Sequence, residues 1–171
     1  MNDPAVGGVI ERYVAVRVVA DGKPLADPIF ARRYRAEAPD FPHHVIAFYR
    51  HPDGSEVPAC YIHFSELGES LLGGGACVDD RILRSMTAPA RAAIRAAGGL
   101  YQYTLRWAVR HFSPHCLAIF GYCGDRLAER ADLAVGFEPT VHPQLLAYFP
   151  RDLTRGDRER LIEQAHAVGP F

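Results

Sequence analysis

The sequence predicts a mixed α/β domain with a mostly antiparallel central sheet of about six or seven strands flanked by helices. Three observations carry this reading. Tyr13 to Val19 alternates, placing Val14, Val16 and Val18 on one face, as a half-buried strand requires. Two apolar, aromatic-rich runs, Val45 to His51 and Val57 to Phe64, flank Pro52-Asp53-Gly54-Ser55, which is the chemistry of a hairpin turn. In the second half, short apolar runs of strand length alternate with longer amphipathic stretches.

The elements follow in order. Asp21-Gly22 ends the first strand. Pro28 to Ala38 reads as a short helix, broken by Pro39 to Pro42. After the hairpin, Leu71 to Val78 is a strand with Gly73-Gly74-Gly75 inside it. Glycine packs poorly in a strand and marks a bulge or a close backbone neighbour, so both a ligand-lined edge and a plain bulge fit the triplet. Thr87-Ala88-Pro89 opens a helix with a capping hydroxyl and an early proline, and Gly98-Gly99 closes it. Leu100 to Phe112 is an amphipathic helix. Leu117 to Tyr122 is continuously apolar, as in a strand covered on both faces. Asp125 to Val135 is a helix stopped by Gly136, Leu145 to Phe149 a strand, and Thr154 to Ala167 a polar helix.

Composition narrows the function classes. The 171 residues suit one domain, residues 1–171, and 49% hydrophobic against 23% charged residues excludes a disordered chain. Lysine plus arginine total 19 against 20 acidic residues, without the basic excess of a general nucleic-acid binder. Lys23 is the only lysine, so every other fixed cation is a guanidinium. The amino terminus has no basic segment followed by an apolar run, and no stretch approaches the roughly 20 apolar residues that span a bilayer. Cys60, Cys77, Cys116 and Cys123 are widely spaced, as reduced thiols of a cytoplasmic protein are. The expectation is a cytoplasmic protein with no membrane or nucleic-acid partner.

The most specific segment is Asp125-Arg-Leu-Ala128-Glu-Arg-Ala-Asp132-Leu-Ala-Val-Gly136-Phe137. Positions 125, 128 and 132 share one helical face, and a small residue at 128 lets that face approach a ligand closely. Packing and capping alone also account for Ala128 and Gly136. The segment and the order of elements from Tyr13 to Phe149 resemble the GCN5-related N-acetyltransferases, which often carry Asn-x-x-Ala-x-x-x-Tyr-x-x-x-Gly-Phe after the fifth core strand. Ala, Gly and Phe match; Asp125 stands for Asn and Asp132 for Tyr. The family's phosphate loop, Arg/Gln-x-x-Gly-x-Gly/Ala, has a counterpart in Arg95-Ala96-Ala97-Gly98-Gly99-Leu100, with Leu100 in the last place. Gly98-Gly99 is equally an ordinary helix stop.

The resemblance implies an acyl-CoA-dependent N-acyltransferase, with acetyl-CoA or another acyl-CoA as cosubstrate and no metal. It implies a cofactor site at Gly74, Gly75, Cys77, Val78, Arg95, Gly98, Gly99, Asp125 and Ala128, in which the glycine strand parts from the fifth strand around the pantetheine arm. The acceptor is then a small-molecule or peptide amine. Two copies pairing through the last strand would make a homodimer. The alternative is a catalytically degenerate module that binds CoA or a small metabolite without turnover.

Acyl transfer to an amine needs a base for the nucleophile and an acid for the leaving thiolate. Tyr122 is the candidate acid, with Asp132 able to serve only if burial raises its pKa. Asp79 is the candidate base, with Asp80, Glu66 and Glu69 beside it in sequence; a solvated carboxylate is the competing reading for each. Cys123 precedes a helix start, which favours a thiolate, yet no histidine is near in sequence. Cys60-x-x-His63 points its two side chains to opposite faces of a strand, and His111 and His115 share a helix face only if the helix outlasts Pro114. Arg32, Arg33, Arg126 and Arg130 read as solvated helix faces able to steer an anion.

Overall fold

The computed structural model describes residues 8–171; the first seven, part of the segment read as lacking an export signal, lie outside them. Seven strands form one sheet: β1 (Val14–Val19), β2 (His43–Arg50), β3 (Glu56–Leu67), β4 (Ser70–Val78), β5 (Ala118–Tyr122), β6 (Glu138–Pro139) and β7 (Leu145–Tyr148). Their order is β1-β2-β3-β4-β5-β7-β6, and every pairing is antiparallel except β4 with β5. The expected mixed, mostly antiparallel sheet is therefore present. The β2–β3 turn has Gly54 at φ 87°, with the Asp53 carboxylate accepting from the Ser55 amide at 2.9 Å.

Helices α1 (Lys23–Tyr34), α2 (Asp80–Ser85), α3 (Ala88–Ala96), α4 (Leu100–Phe112), α5 (Arg126–Val135) and α6 (Arg155–Val168) flank the sheet. Strand alternation sorts the core. Ala47, Tyr49, Cys60, Ile62 and Phe64 face α3 and α4, whereas Ile46, Phe48 and Tyr61 lie under α1. Phe120, Leu145 and Ala147 pack beneath α6 through Leu161 and Ala165. Each large apolar side chain so enclosed contributes about 1.5–3 kcal/mol.

The structure departs from the sequence reading at four points. Helix α1 begins at Lys23, because Pro24 fits a first turn and Pro28 removes only one helical hydrogen bond; Arg35 ends it at φ 55°. Helix α2 fills part of the stretch between Val78 and Thr87, capped by Asp79. The two-residue β6 is too short for a periodic signal. It also occupies the outer edge of β7 at Leu146 and Ala147, so the last strand is not free there to pair with a second copy.

The feature that places the site is where pairing stops. β4 runs beside β5 only over Ser70–Gly73 against Ala118–Gly121. Beyond Gly73 the register with β3 slips between Tyr61 and His63, and Gly75 takes φ 57°. β5 meanwhile stays paired with β7 to Tyr122. The two strands part as a wedge. A Cβ on Gly75 would stand 2.4 Å from Cε1 of His63, so both backbone conformation and space demand glycine.

Gly75→Ala is expected to lower unfolding free energy by about 1–3 kcal/mol in urea titrations, the usual cost of a forced left-handed residue. Gly156→Ala, in the first turn of α6 with open space around it, is expected to raise it by up to about 1 kcal/mol.

Candidate functional site

The wedge holds a cavity of about 170 Å³ lined by Gly73 to Ala76 on one side and Gly121 to Asp125 on the other. Tyr34 borders it and ties the end of α1 to the splayed strand by donating to the Ala76 carbonyl at 2.7 Å. Ala76, Tyr101, Asp125 and Ala128 also line a second, outer groove of about 630 Å³. That groove runs past Cys77 and Val78 to Gly98, Gly99 and the start of α4, with α5 as its opposite wall. Two regions distant in sequence, the β4 end and the α3–α4 junction, thus meet across one groove.

The glycine pair acts differently from the expected amide cradle. Gly98 N–H donates to the Arg95 carbonyl at 3.1 Å and Gly99 N–H to the Ile94 carbonyl at 2.9 Å, so both amides close α3. This is a correction to the expectation that they face a ligand. The unbonded amides belong to Leu100, Tyr101 and Gln102, because the first helical bond of α4 runs from Tyr103 to Gly99. Gly99, at φ 103°, makes the turn that lets one helix end where the next begins. Arg95 is exposed on α3 and borders neither space; Arg33 and Arg130, from α1 and α5, line the outer groove instead. Asp125 caps α5, its Oδ1 accepting from Leu127 N–H at 2.7 Å and Ala128 N–H at 3.2 Å. Its other oxygen lies 3.8 Å from the Arg33 guanidinium.

The carboxylates sort cleanly. Asp79 does not face the cleft: it is buried, one oxygen accepts from Arg81 N–H at 3.0 Å, and the other meets the Arg32 guanidinium. Both oxygens are spent on holding the α2 turn against α1, which removes it as a base for a ligand in the wedge. Asp80 borders the outer groove. Glu66 and Glu69 lie at the opposite, closed end of β4, Glu66 paired with His43 at 3.0 Å and Glu69 with Arg160 at 3.6 Å. Asp132 lines the wedge cavity and is the only buried residue of α5. Burial raises its pKa, opposed by hydrogen bonds from Tyr101 and Cys123.

Tyr122 lines the wedge cavity too, but its hydroxyl is 2.9 Å from Nδ1 of His166 and its ring packs edge-on against Phe171. Cys123 sits beside it with its thiol pushed up to about 11 by burial, donating to the Asp125 carbonyl at 3.2 Å; it is a protonated wall rather than a nucleophile. Cys77 is similarly buried and pushed up to about 12. α4 ends at Phe112 before the 3₁₀ turn Ser113–His115, and among the described residues no three His, Cys, Asp or Glu side chains gather to hold a metal. All four cysteines are free.

Sequence reasoning passed over Tyr101 as a site residue, weighed Arg33 only as a solvated face able to steer an anion, and weighed His63 only as a metal ligand beside Cys60. Nothing local to Tyr101 marks it, since its partner Asp132 lies 31 residues along the chain. His63 lies under the glycine bulge, 4% exposed, its ring 4.3 Å from that of Phe41 and its Nδ1 without a partner. Burial, with His44 nearby, lowers its pKa to about 4.

No protein-family model and no curated protein matches the chain in sequence. Among solved structures it is similar to apo FdhC, a nucleotide-linked sugar GNAT, at 12% identity and a TM-score of 0.49, over 92% of this chain and 96% of that one. It is similar to a ribosomal-protein-S5-alanine acetyltransferase from Vibrio fischeri at 9% identity and 0.48, over 83% and 96% of the two chains. A GNAT-family acetyltransferase from Bacillus anthracis matches at 12% and 0.39, over 64% and 67%. At these identities and TM-scores the likenesses carry no residue's role across.

His63 makes a pH prediction with a definite sign. Its folded pKa, about 4, lies below the ordinary histidine value of 6.5, so the unfolded chain takes up the proton first and stability is lost as pH falls between those values. The loss attributable to His63 is up to about 3 kcal/mol. Denaturant titrations at pH 7 and pH 4.5 should show the wild type losing more stability than His63→Gln.

Proposed function

We propose that this protein is an N-acyltransferase that uses an acyl-CoA, acetyl-CoA in the first instance, to acylate an amine. The observation that carries the reading is the β4–β5 wedge joined to a groove that ends on free amides at the start of α4. An extended thioester arm fits the wedge, where the backbone of Gly74 and Gly75 has no β5 partner and can pair with it as with an added strand. The diphosphate fits the α4 start, where the Leu100, Tyr101 and Gln102 amides and the helix dipole favour negative charge. Arg33 and Arg130 add guanidinium donors along the same groove. Ala128 keeps the α5 wall low where the two spaces meet. Asp80 and Asp125 are the unfavourable charges in the groove, and Arg33 is placed to offset Asp125.

Bound there, an acyl-CoA supplies an activated acyl carbon and a thiolate leaving group. The chain's part is to hold the thioester beside the bulge, keep the wedge dry with Ile62, Phe64, Leu105 and Phe137, and move protons. Of the residues the sequence put forward for proton transfer, Tyr122 and Asp132 border that space. The acceptor is a small-molecule or peptide amine; the near-neutral charge supports neither a nucleic-acid nor a membrane partner, and no helix among the described residues is long and apolar enough to cross a membrane. Free thiols support a cytoplasmic setting. Aspartate at 132 and the spent amides of Gly98 and Gly99 favour a second reading, a CoA-binding module without turnover.

A thermal-shift screen with CoA, acetyl-CoA and longer acyl-CoAs tests the site. Ligand at 100 times its dissociation constant should add about 2.7 kcal/mol, and Ala128→Leu should abolish the shift without lowering the unliganded midpoint. Acetyl transfer to a panel of amines then separates the enzyme from the binding module. No shift with any CoA compound would falsify both readings.

A further inference from the structure

We infer that Tyr101, from α4, is the proton donor to the departing sulfur, and that Asp132 is the positioning residue that holds its hydroxyl; this rests on the acyltransferase reading. The structure sets the Tyr101 hydroxyl, from α4, against the buried Asp132 of α5. The Tyr101 hydroxyl donates to Asp132 Oδ1 at 2.7 Å. Tyr101 borders both the wedge cavity and the outer groove, so an arm running from the α4 amides into the wedge passes its ring. Asp132 is 6% exposed and takes part in none of the ion pairs among the described residues. A carboxylate buried without a cation is costly unless donors hold it, and Tyr101 is the closest donor. Tyr122 is less suited to the role, because it borders the wedge cavity alone and not the outer groove through which the arm arrives.

Burial, the charge of Asp132 and the hydrogen bond to it all push Tyr101 well above the usual phenol range, so the hydroxyl keeps its proton at neutral pH. In the transfer, the amine nitrogen bonds to the acyl carbon and the carbon–sulfur bond breaks. The sulfur takes the Tyr101 proton, the nitrogen loses one to solvent, and Tyr101 regains one from solvent past Asp132.

Calorimetry with CoA and with desulfo-CoA, which lacks the sulfur, provides a test that needs no turnover. Wild type should bind CoA about fivefold more tightly than desulfo-CoA, the worth of one hydrogen bond. Tyr101→Phe should bind the two equally, with a thermal midpoint that shows it folded. Near-ultraviolet titration should show one tyrosine, missing in Tyr101→Phe, that ionises at lower pH in Asp132→Asn, which a merely structural aspartate would not produce. An unchanged CoA preference in Tyr101→Phe, or its loss in Tyr122→Phe instead, overturns the inference and leaves the acyltransferase reading standing. Binding of neither compound by wild type overturns both.

Discussion

The arrangement of this molecule turns on one interrupted ladder. Parallel strands at the centre of a sheet ordinarily satisfy each other's backbone groups along their whole length, and β4 and β5 do so for four residues each before separating. What parts them is local to β4. Gly73 leaves room for the Phe64 ring, and Gly75 turns the strand with a left-handed residue. β5 has no reason to follow, since β7 continues to pair with it. The opened edge carries backbone groups without a strand partner, next to a cavity, and that combination gives the wedge its suitability for an extended ligand.

A second economy operates at the α3–α4 junction. Two consecutive glycines with positive φ let α3 close on its own carbonyls and α4 begin immediately, with its first three residues bordering the outer groove and their amides unbonded. The glycines therefore work through geometry, by setting where the helix starts, while their own N–H groups are consumed. An anion placed there would meet the dipole end of a thirteen-residue helix whose N-cap residue offers no side-chain bond.

Of the buried polar side chains, Asp132 and His63 lie beside the wedge, whereas His44, Ser70, Asp79 and Thr104 lie elsewhere. Asp132, Tyr101 and Cys123 cluster along its α4–α5 side, and His63 lies beneath the bulge on the side of α1. Each carries a desolvation cost that an apolar residue of similar size would avoid. A fold selected for stability alone has little use for such groups beside an opening in its sheet.

Much of the fold was legible because it is written in local terms. The Val14–Val18 alternation, the Asp53-Gly54 turn, the Thr87 cap and the Gly136 stop each act within a few residues, and each stands where its chemistry requires. So did the glycine triplet's bulge and the shared face of Asp125, Ala128 and Asp132. The roles of individual side chains were not legible, because they depend on partners far along the chain. Asp79 is spent on Arg32, 47 residues away, and Asp132 receives its hydroxyl from Tyr101, 31 residues away. The sequence by itself determined most of the elements and their order, and marked the glycine triplet as a bulge or a close backbone approach, since turn, cap and bulge energies are short-range. Which tyrosine, which arginines and which amides face that opening was decided only by packing α1, α4 and α5 around it, since a side chain's neighbours across a groove leave no trace in its neighbours along the chain.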